Sequence, residues 1–221
     1  VMESLPYDPA RDFEPIAQVA TIGLTLVTYA DHPVKDVAAL VAAAKAEPDK
    51  LVLASFGNAT VSHFAGEWFK SVAGIRMVHV PYRGSGPAMT DLVGKHVPFL
   101  VDTIVAARPQ IETGKVRALA VASAKRSAML PEAPTLQELG HAGINLSSWV
   151  ALVTAKGTPA EAKTKIGEAI AAILRDPAAL AQMQKAGFEP AYESYADWPG
   201  VVTREIAAMK AIAQRANIKA D

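Results

Sequence analysis

The sequence predicts an α/β protein, and three observations carry that expectation. Short apolar runs alternate with amphipathic helical segments between residues 51 and 122. A breaker residue punctuates most changes of pattern, as at Pro48, Gly74, Gly94 and Gly114. The chain has 221 residues, 51% hydrophobic and 20% charged, which supplies a substantial core and is unlike a disordered composition. Strands alternating with helices at this spacing imply βαβ units, a mainly parallel sheet and helices on both faces.

Taken in order, residues 16–29 (IAQVATIGLTLVTY) are apolar and β-branched and end at Asp31-His32-Pro33, which predicts one or two strands. Val37, Leu40, Val41 and Ala44 recur at helical spacing, and Pro48-Asp49 closes that helix. A short buried strand follows at 51–54, then a helix at about 60–72 with Phe64, Trp68 and Val72 on one core stripe and Gly74 as its C-cap. A strand at 77–80, a helix at about 85–93 and a strand at 97–101 continue the alternation. A helix at about 105–112 closes at Gly114 before a strand at 116–122. Residues 123–143 form an irregular connection with two prolines and one short helical signal at 135–139. Beyond it the pattern gives a strand at 144–154 and helices at 159–174, 177–186 and 198–215. Pro159 and Pro177 read as first-turn prolines behind the N-caps Thr158 and Asp176.

Composition excludes several functions. The 22 basic and 22 acidic residues cancel, which argues against a nucleic-acid binder. The chain has no cysteine, so disulfides, thiolate nucleophiles and Cys-ligated zinc are ruled out, while either redox compartment remains compatible. No stretch has the length and apolarity of a membrane span, and the first residues carry no basic segment followed by an apolar one. The chain is therefore read as cytosolic, or as a mature or truncated form without its targeting segment.

Two loops carry the chemistry. SFGNATVSH at 55–63 and VHVPYRGSG at 78–86 each follow an apolar strand and open a helix. Amide groups at a helix N-terminus make a ready site for a carboxylate or phosphate, and ligands of parallel α/β sheets sit beyond the carboxyl ends of the strands. In the first loop Asn58, Thr60 and Ser62 exceed the single residue that a helix cap needs. In the second, Tyr82, Arg83, Gly84 and Ser85 offer an aromatic face, a cation, a flexible backbone and a hydroxyl. A solvated turn with Pro87 at the first helical position explains the Gly-Pro but not the Tyr-Arg, and the P-loop ending is missing. Asp102-Thr103 follows a strand, where a carboxylate accepts a ligand proton or caps a helix. His63 and His79 read as structural histidines, since neither has a partner at metal spacing, and no metal or cofactor is expected. No G-x-S-x-G elbow supplies a hydrolase nucleophile, so no catalysis is expected. Trp149 is either a core residue or a pocket wall between two lobes.

With these motifs in view, the chain resembles the solute receptors of tripartite tricarboxylate transport systems, the Bug proteins first described from Bordetella. The resemblance rests on LPYDPARDFEPI at 5–16, SFGNATVSHFAGEWFK at 55–70 and HVPYRGSGPAMTDLVG at 79–94. It continues through 114–140, 147–161 and the helical tail. It implies a periplasmic two-lobed binding protein of the type II class, closing around a small carboxylated solute and handing it to membrane transporter subunits. By resemblance the contacts from the second lobe are Gly57, Asn58, Ala59, Thr60, Ser62 and His63, then Tyr82 to Gly86, and Asp102. Ala59 stands where the family usually has glycine.

Loops of the P-F-x-P-G-G and R-P-G-A-G-G kind, which contact ligand from the family's first lobe, do not occur here. The first lobe is therefore expected to be incomplete, formed by residues 1–26 with 144–221, and the second lobe to span 27–143. An exposed apolar face on the first lobe follows, unless another chain covers it. Closure is expected about strands near 19–29 and 144–153. The expected ligand is a di- or tricarboxylate, an amino acid or an aromatic acid. The alternatives are a homo-oligomeric interaction module that has lost uptake and, less favoured, an enzyme using the anion site.

Overall fold

The computed structural model describes residues 6–143, 146–193, 198–216 and 218. The chain divides into two compact units: unit 1 comprises Val1–Ile22 and Ser148–Ala211, and unit 2 comprises Gly23–Ser147 and Ile212–Asp221.

Unit 2 is built on five strands in the order β3-β2-β4-β1-β5: β1 (Phe13–Tyr29, entering from unit 1), β2 (Val52–Ser55), β3 (Val78–Pro81), β4 (Phe99–Thr103) and β5 (Val116–Val121). β2 runs parallel to both β3 and β4, whereas β1 is antiparallel to β4 and β5. The sheet is thus mixed, within the expected class of two lobes with parallel or mixed sheets, because residues 16–29 form part of one continuous 17-residue strand that pairs antiparallel with β4 and β5. Pattern alone does not fix strand direction.

Four helices flank this sheet: α1 (Val37–Ala46), α2 (Val61–Ala73), α3 (Ser85–Val93) and α4 (Ile104–Glu112). One face carries Val27, Ala54 and Leu100, which cluster with Ala88, Met89 and Leu92 of α3 and Ala107 of α4. On the other face α2 approaches closely at Gly66, where a methyl group would stand 3.1 Å from Leu53 Cδ2 and 3.7 Å from Val101 Cγ2. That alternation follows from the period of two along a strand, and it covers the sheet on both sides. Phe64 and Phe69 of α2 are buried while Val72 is exposed, so the buried stripe runs through Phe69 rather than Trp68 and Val72. Gly74 ends α2 at φ 62°, and Ile75 N–H reaches back to Lys70 O at 3.0 Å. This left-handed stop is one that glycine adopts at little cost.

Several sequence expectations shift. β4 ends at Thr103, so Asp102 lies inside the strand rather than after it. Residues 135–139 form turns, with Thr135 bridging Val121, rather than a helix. The start of the strand expected at 144–154 lies outside the described residues.

In unit 1 the first half of β1 pairs with β6 (Ser147–Ala155) and with β7 (Glu189–Glu193). The register to β7 is antiparallel, Thr21 facing Glu189 and Gln18 facing Glu193. β7 was not legible in the sequence, since EPAYE offers no run of apolar or β-branched residues. Helices α5 (Ala160–Ile173), α6 (Pro177–Lys185) and α7 (Trp198–Ala216) complete the elements, α7 continuing into unit 2 from Ile212. Asp176 caps α6, accepting from Ala178 N at 3.0 Å, with Pro177 in the first position as expected. Pro159, by contrast, occupies the N-cap of α5 and leaves that helix without a side-chain cap.

Candidate functional site

Parallel pairing puts the carboxyl ends of β2, β3 and β4 on one edge of the unit 2 sheet. The loops after Ser55, Pro81 and Thr103 therefore gather there. Tyr82 N–H donates to Ser55 O at 2.9 Å and Gly84 N–H to Phe56 O at 3.0 Å, zipping the first two loops together. The structure thus groups Gly57, Asn58, Ala59, Thr60, Ser62 and His63 with Tyr82, Arg83, Gly84, Ser85, Asp102 and Thr103, all from unit 2. Trp149 belongs to unit 1, where its exposed ring meets Trp198 edge-on at 6.0 Å.

Helix starts within unit 2 fall into two kinds. Asp36 caps α1, accepting from Ala39 N at 2.8 Å, and Thr103 caps α4, accepting from Ala106 N at 3.3 Å. Thr60 and Gly84, the N-caps of α2 and α3, make no side-chain capping bond. Thr60 Oγ1 instead donates to Gly57 O at 2.8 Å. The two helices that open at the predicted loops are thus the two in this sheet whose first-turn amides are not capped by their own N-cap residue. Gly84 sits at φ 113°, which a side chain rarely adopts.

Not every amide here faces outward. Phe56 N–H donates to Ser62 Oγ, Gly57 N–H to Ser55 Oγ and Ala59 N–H to His63 Nδ1, at 3.3, 3.3 and 3.1 Å. The sequence reading of a loop full of unpaired amides is therefore corrected: the loop spends several of them on its own shape. Ala59 adopts φ 54°, a left-handed conformation that costs an alanine about 1 kcal/mol.

Burial separates the predicted residues further. Ser62 is buried and donates to Val101 O at 2.6 Å. Asp102 is 0% exposed; its Oδ2 accepts from Ser85 Oγ at 2.6 Å and its Oδ1 from Thr103 N at 2.7 Å. Burial pushes the Asp102 carboxyl above the usual carboxylate range against the pull of those bonds. Thr103, not Asp102, is the residue that caps α4. The Tyr82 hydroxyl donates to Asp91 Oδ2 at 2.6 Å, and burial together with that carboxylate pushes it up to about 12. Arg83 is exposed and makes no hydrogen bond or ion pair among the described residues. It is the free cation of the second loop.

Beneath the loops lies a cluster that sequence spacing did not reveal. The imidazoles of His63 and His79 stack with centroids 3.6 Å apart and planes 12° apart. His63 Nε2 faces Glu67 Oε1 at 3.6 Å, and Glu67 pairs with Lys70 at 2.5 Å. His79 Nε2 lies 2.7 Å from Ser55 Oγ. Burial, with the neighbouring His63, lowers the His79 pKa to about 4. Burial works to raise Glu67, but its contacts with His63 and Lys70 outweigh that and hold it low.

His63, Glu67 and His79 bring ligand atoms within 4.8 Å of one another, yet three features oppose a metal. Parallel stacked rings cannot both direct an in-plane lone pair at a shared ion. Metal on His63 Nε2 would move the imidazole proton to Nδ1, where Ala59 N–H already donates. Lys70 already supplies the cation for Glu67.

Residues 1–218 match the family described as "Tripartite tricarboxylate transporter family receptor". The chain is 33% identical to a UPF0065 protein of Bordetella bronchiseptica over 217 residues, 98% of this chain and 64% of that protein. It spans between 56% and 64% of the length of the first curated relatives it matches. Among solved structures it is similar to Rpa4515 of R. palustris with adipate, at TM-score 0.90 and 33% identity, covering 99% of this chain and 73% of the other. The periplasmic binding protein BugD follows at TM-score 0.84 and 30% identity, covering 96% and 72%. MatC of Rhodopseudomonas palustris with bound malate follows at TM-score 0.76 and 25% identity, covering 98% and 73%. The chain belongs to the tripartite tricarboxylate transporter receptor family.

Proposed function

We propose that this chain is the solute-binding part of a periplasmic receptor that captures a small dicarboxylate for a membrane transporter. The observation that carries this reading is the edge where β2, β3 and β4 end, with two helix starts left uncapped by their N-cap side chains and Arg83 unpartnered beside them. Helix N-termini and a guanidinium together favour a carboxylate, the guanidinium by a bidentate hydrogen-bonded pair. The adipate and malate held by two similar proteins support that ligand class.

On this reading Gly57, Asn58, Ala59, Thr60, Arg83, Gly84 and Ser85 face the solute, and Tyr82 packs against the core of unit 2. Ser62, His63, Asp102 and Thr103 hold the loops, because their polar atoms are engaged inside the protein. Units 1 and 2 serve as the two lobes. The family is one of transporter receptors, which supports capture of the solute without a bond being made or broken.

Titration calorimetry with adipate, malate, citrate and benzoate tests the proposal. Binding of a dicarboxylate, weakened in Arg83→Ala with unchanged unfolding, is expected. If none of the four binds, the reading fails.

A second reading has its own support. Unit 1 exposes Tyr7, Trp149, Leu152, Val153, Ile173, Tyr192 and Ile206, which favours a further polypeptide or a second copy covering it. A monomer at micromolar concentration in sedimentation would sink the second-copy version.

A further inference from the structure

The first loop is shaped by two imidazoles that lie under it. Ala59 N–H donates to His63 Nδ1 at 3.1 Å, which fixes His63 as an acceptor on that nitrogen and places its proton on Nε2, toward Glu67. His79 Nε2 contacts Ser55 Oγ at 2.7 Å, Ser55 Oγ donates to Gly57 O at 3.1 Å, and Gly57 N–H returns to Ser55 Oγ at 3.3 Å. With the proton on His79 Nε2, that chain runs from imidazole through hydroxyl to carbonyl and leaves no polar atom in it unmatched. The two rings press together at 3.6 Å, so neither has room to turn. One imidazole thus grips the loop at residue 59 and the other at residues 55 and 57.

We propose that His63 and His79 are positioning residues that clamp residues 55–59 in their present shape, and that the clamp holds only while both imidazoles are neutral. A proton on His63 Nδ1 would oppose Ala59 N–H donor to donor. Two charged rings would stand face to face at the stacking distance, where like charges repel strongly. The charged groups facing the pair are Glu67 and Lys70, both from α2; Glu67 favours a charged imidazole and Lys70 opposes it. His79 is kept neutral chiefly by burial, with its pKa lowered to about 4. Opening the loop lifts that burial and returns His79 toward its ordinary value, so acid favours the open loop. The consequence for the solute, loss of carboxylate affinity as pH falls below about 6.5, rests on the function proposed above.

The test uses the whole chain by nuclear magnetic resonance. Ring nitrogen shifts of the unmodified protein should show His63 protonated on Nε2 with Nδ1 accepting; a proton on Nδ1 overturns the clamp without any variant. Amide protection factors, which correct for intrinsic exchange, should fall for Gly57 and Ala59 between pH 6.5 and 4.5. His63→Leu should cost Ala59 roughly fivefold to tenfold in protection at pH 7, and His63→Asn, whose amide oxygen mimics Nδ1, should restore it. His79→Gln keeps a donor for Ser55 without titrating and should flatten the pH profile. A wild-type profile in His79→Gln, or unaltered Ala59 protection in His63→Leu, overturns the proposal. Adipate affinity, followed by calorimetry over the same pH range, should fall with the protection factors. If adipate, malate, citrate and benzoate all fail to bind while tautomer and protection behave as stated, the clamp stands and the carboxylate reading alone is lost.

Discussion

The two compact units spend the same kind of sequence differently. In unit 2 strands β2, β4 and β5 and the second half of β1 bury Leu24, Val27, Leu53, Phe99, Leu100 and Val121 to 2% exposure or less, with α2 to α4 packed over them. Among the described residues of unit 1 the buried hydrophobic side chains are Ala17, Ala20, Trp198 and Val202. Helices α5 and α6 bury no side chain, although α5 is a 14-residue helix with Ile166, Ile170 and Ile173 in its sequence. A helical pattern supplies an apolar stripe; only a neighbouring layer removes that stripe from water. Unit 2 buries its stripes more fully, whereas on α5 of unit 1 Ile166 and Ile170 are half-buried and Ile173 is exposed.

The largest expected effect breaks this contrast open by mutation. Leu92→Ala or Phe99→Ala in unit 2 should cost about 3–5 kcal/mol in denaturant unfolding, since each leaves a cavity in a packed core. Ile173→Ala, at 53% exposure in unit 1, should change stability by less than about 0.5 kcal/mol. Equal losses at the two sites would show that another surface covers unit 1 in solution.

A smaller effect separates binding from packing within unit 2. Arg83→Ala should weaken dicarboxylate binding by about tenfold to a hundredfold while leaving the unfolding midpoint in place, because Arg83 has no partner to lose among the described residues. Calorimetry and thermal unfolding on the same sample read both quantities.

Next comes the pH dependence. His79 is lowered in the folded state to about 4, so the unfolded chain takes up its proton first as acid is added. The stability it contributes is complete above about pH 6.5 and is lost as pH falls from there to about 4. Discounted for the partial exposure of the ring, the loss is about 1–2 kcal/mol. His79→Gln should remove that slope from a series of urea unfolding curves. Asp102 acts in the opposite sense, because its raised pKa favours the folded state as its carboxyl protonates.

The smallest effect concerns one backbone angle. Ala59→Gly relieves the left-handed strain at φ 54° but loosens the unfolded chain, for a net gain of about 0.5 kcal/mol or less. A loss of stability would mean that the Ala59 methyl packs usefully in the loop.

The sequence determined what is decided within a turn or two of chain. Gly74 and Pro177 marked helix ends through the bonds and dihedrals available at those positions, and the helix at 85–93 was legible to the residue. Alternation of strand and helix located both loops at strand ends, so most of the candidate site was legible as well. Where local signals were weak or shared, the reading slipped: the turn at 135–139 imitated a helix, and β7 lacked a strand composition.

Tertiary structure alone decided which distant segments meet. The antiparallel entry of β1, the stack of His63 on His79 and the bond from Ser85 to Asp102 join residues separated by 16 or more positions. Such contacts depend on strand order and on which face each residue takes, and neither is written into the chemistry of any short stretch. Burial was decided the same way. The apolar stripes of unit 1 and unit 2 look alike along the chain, and they differ because those of unit 2 are buried more completely.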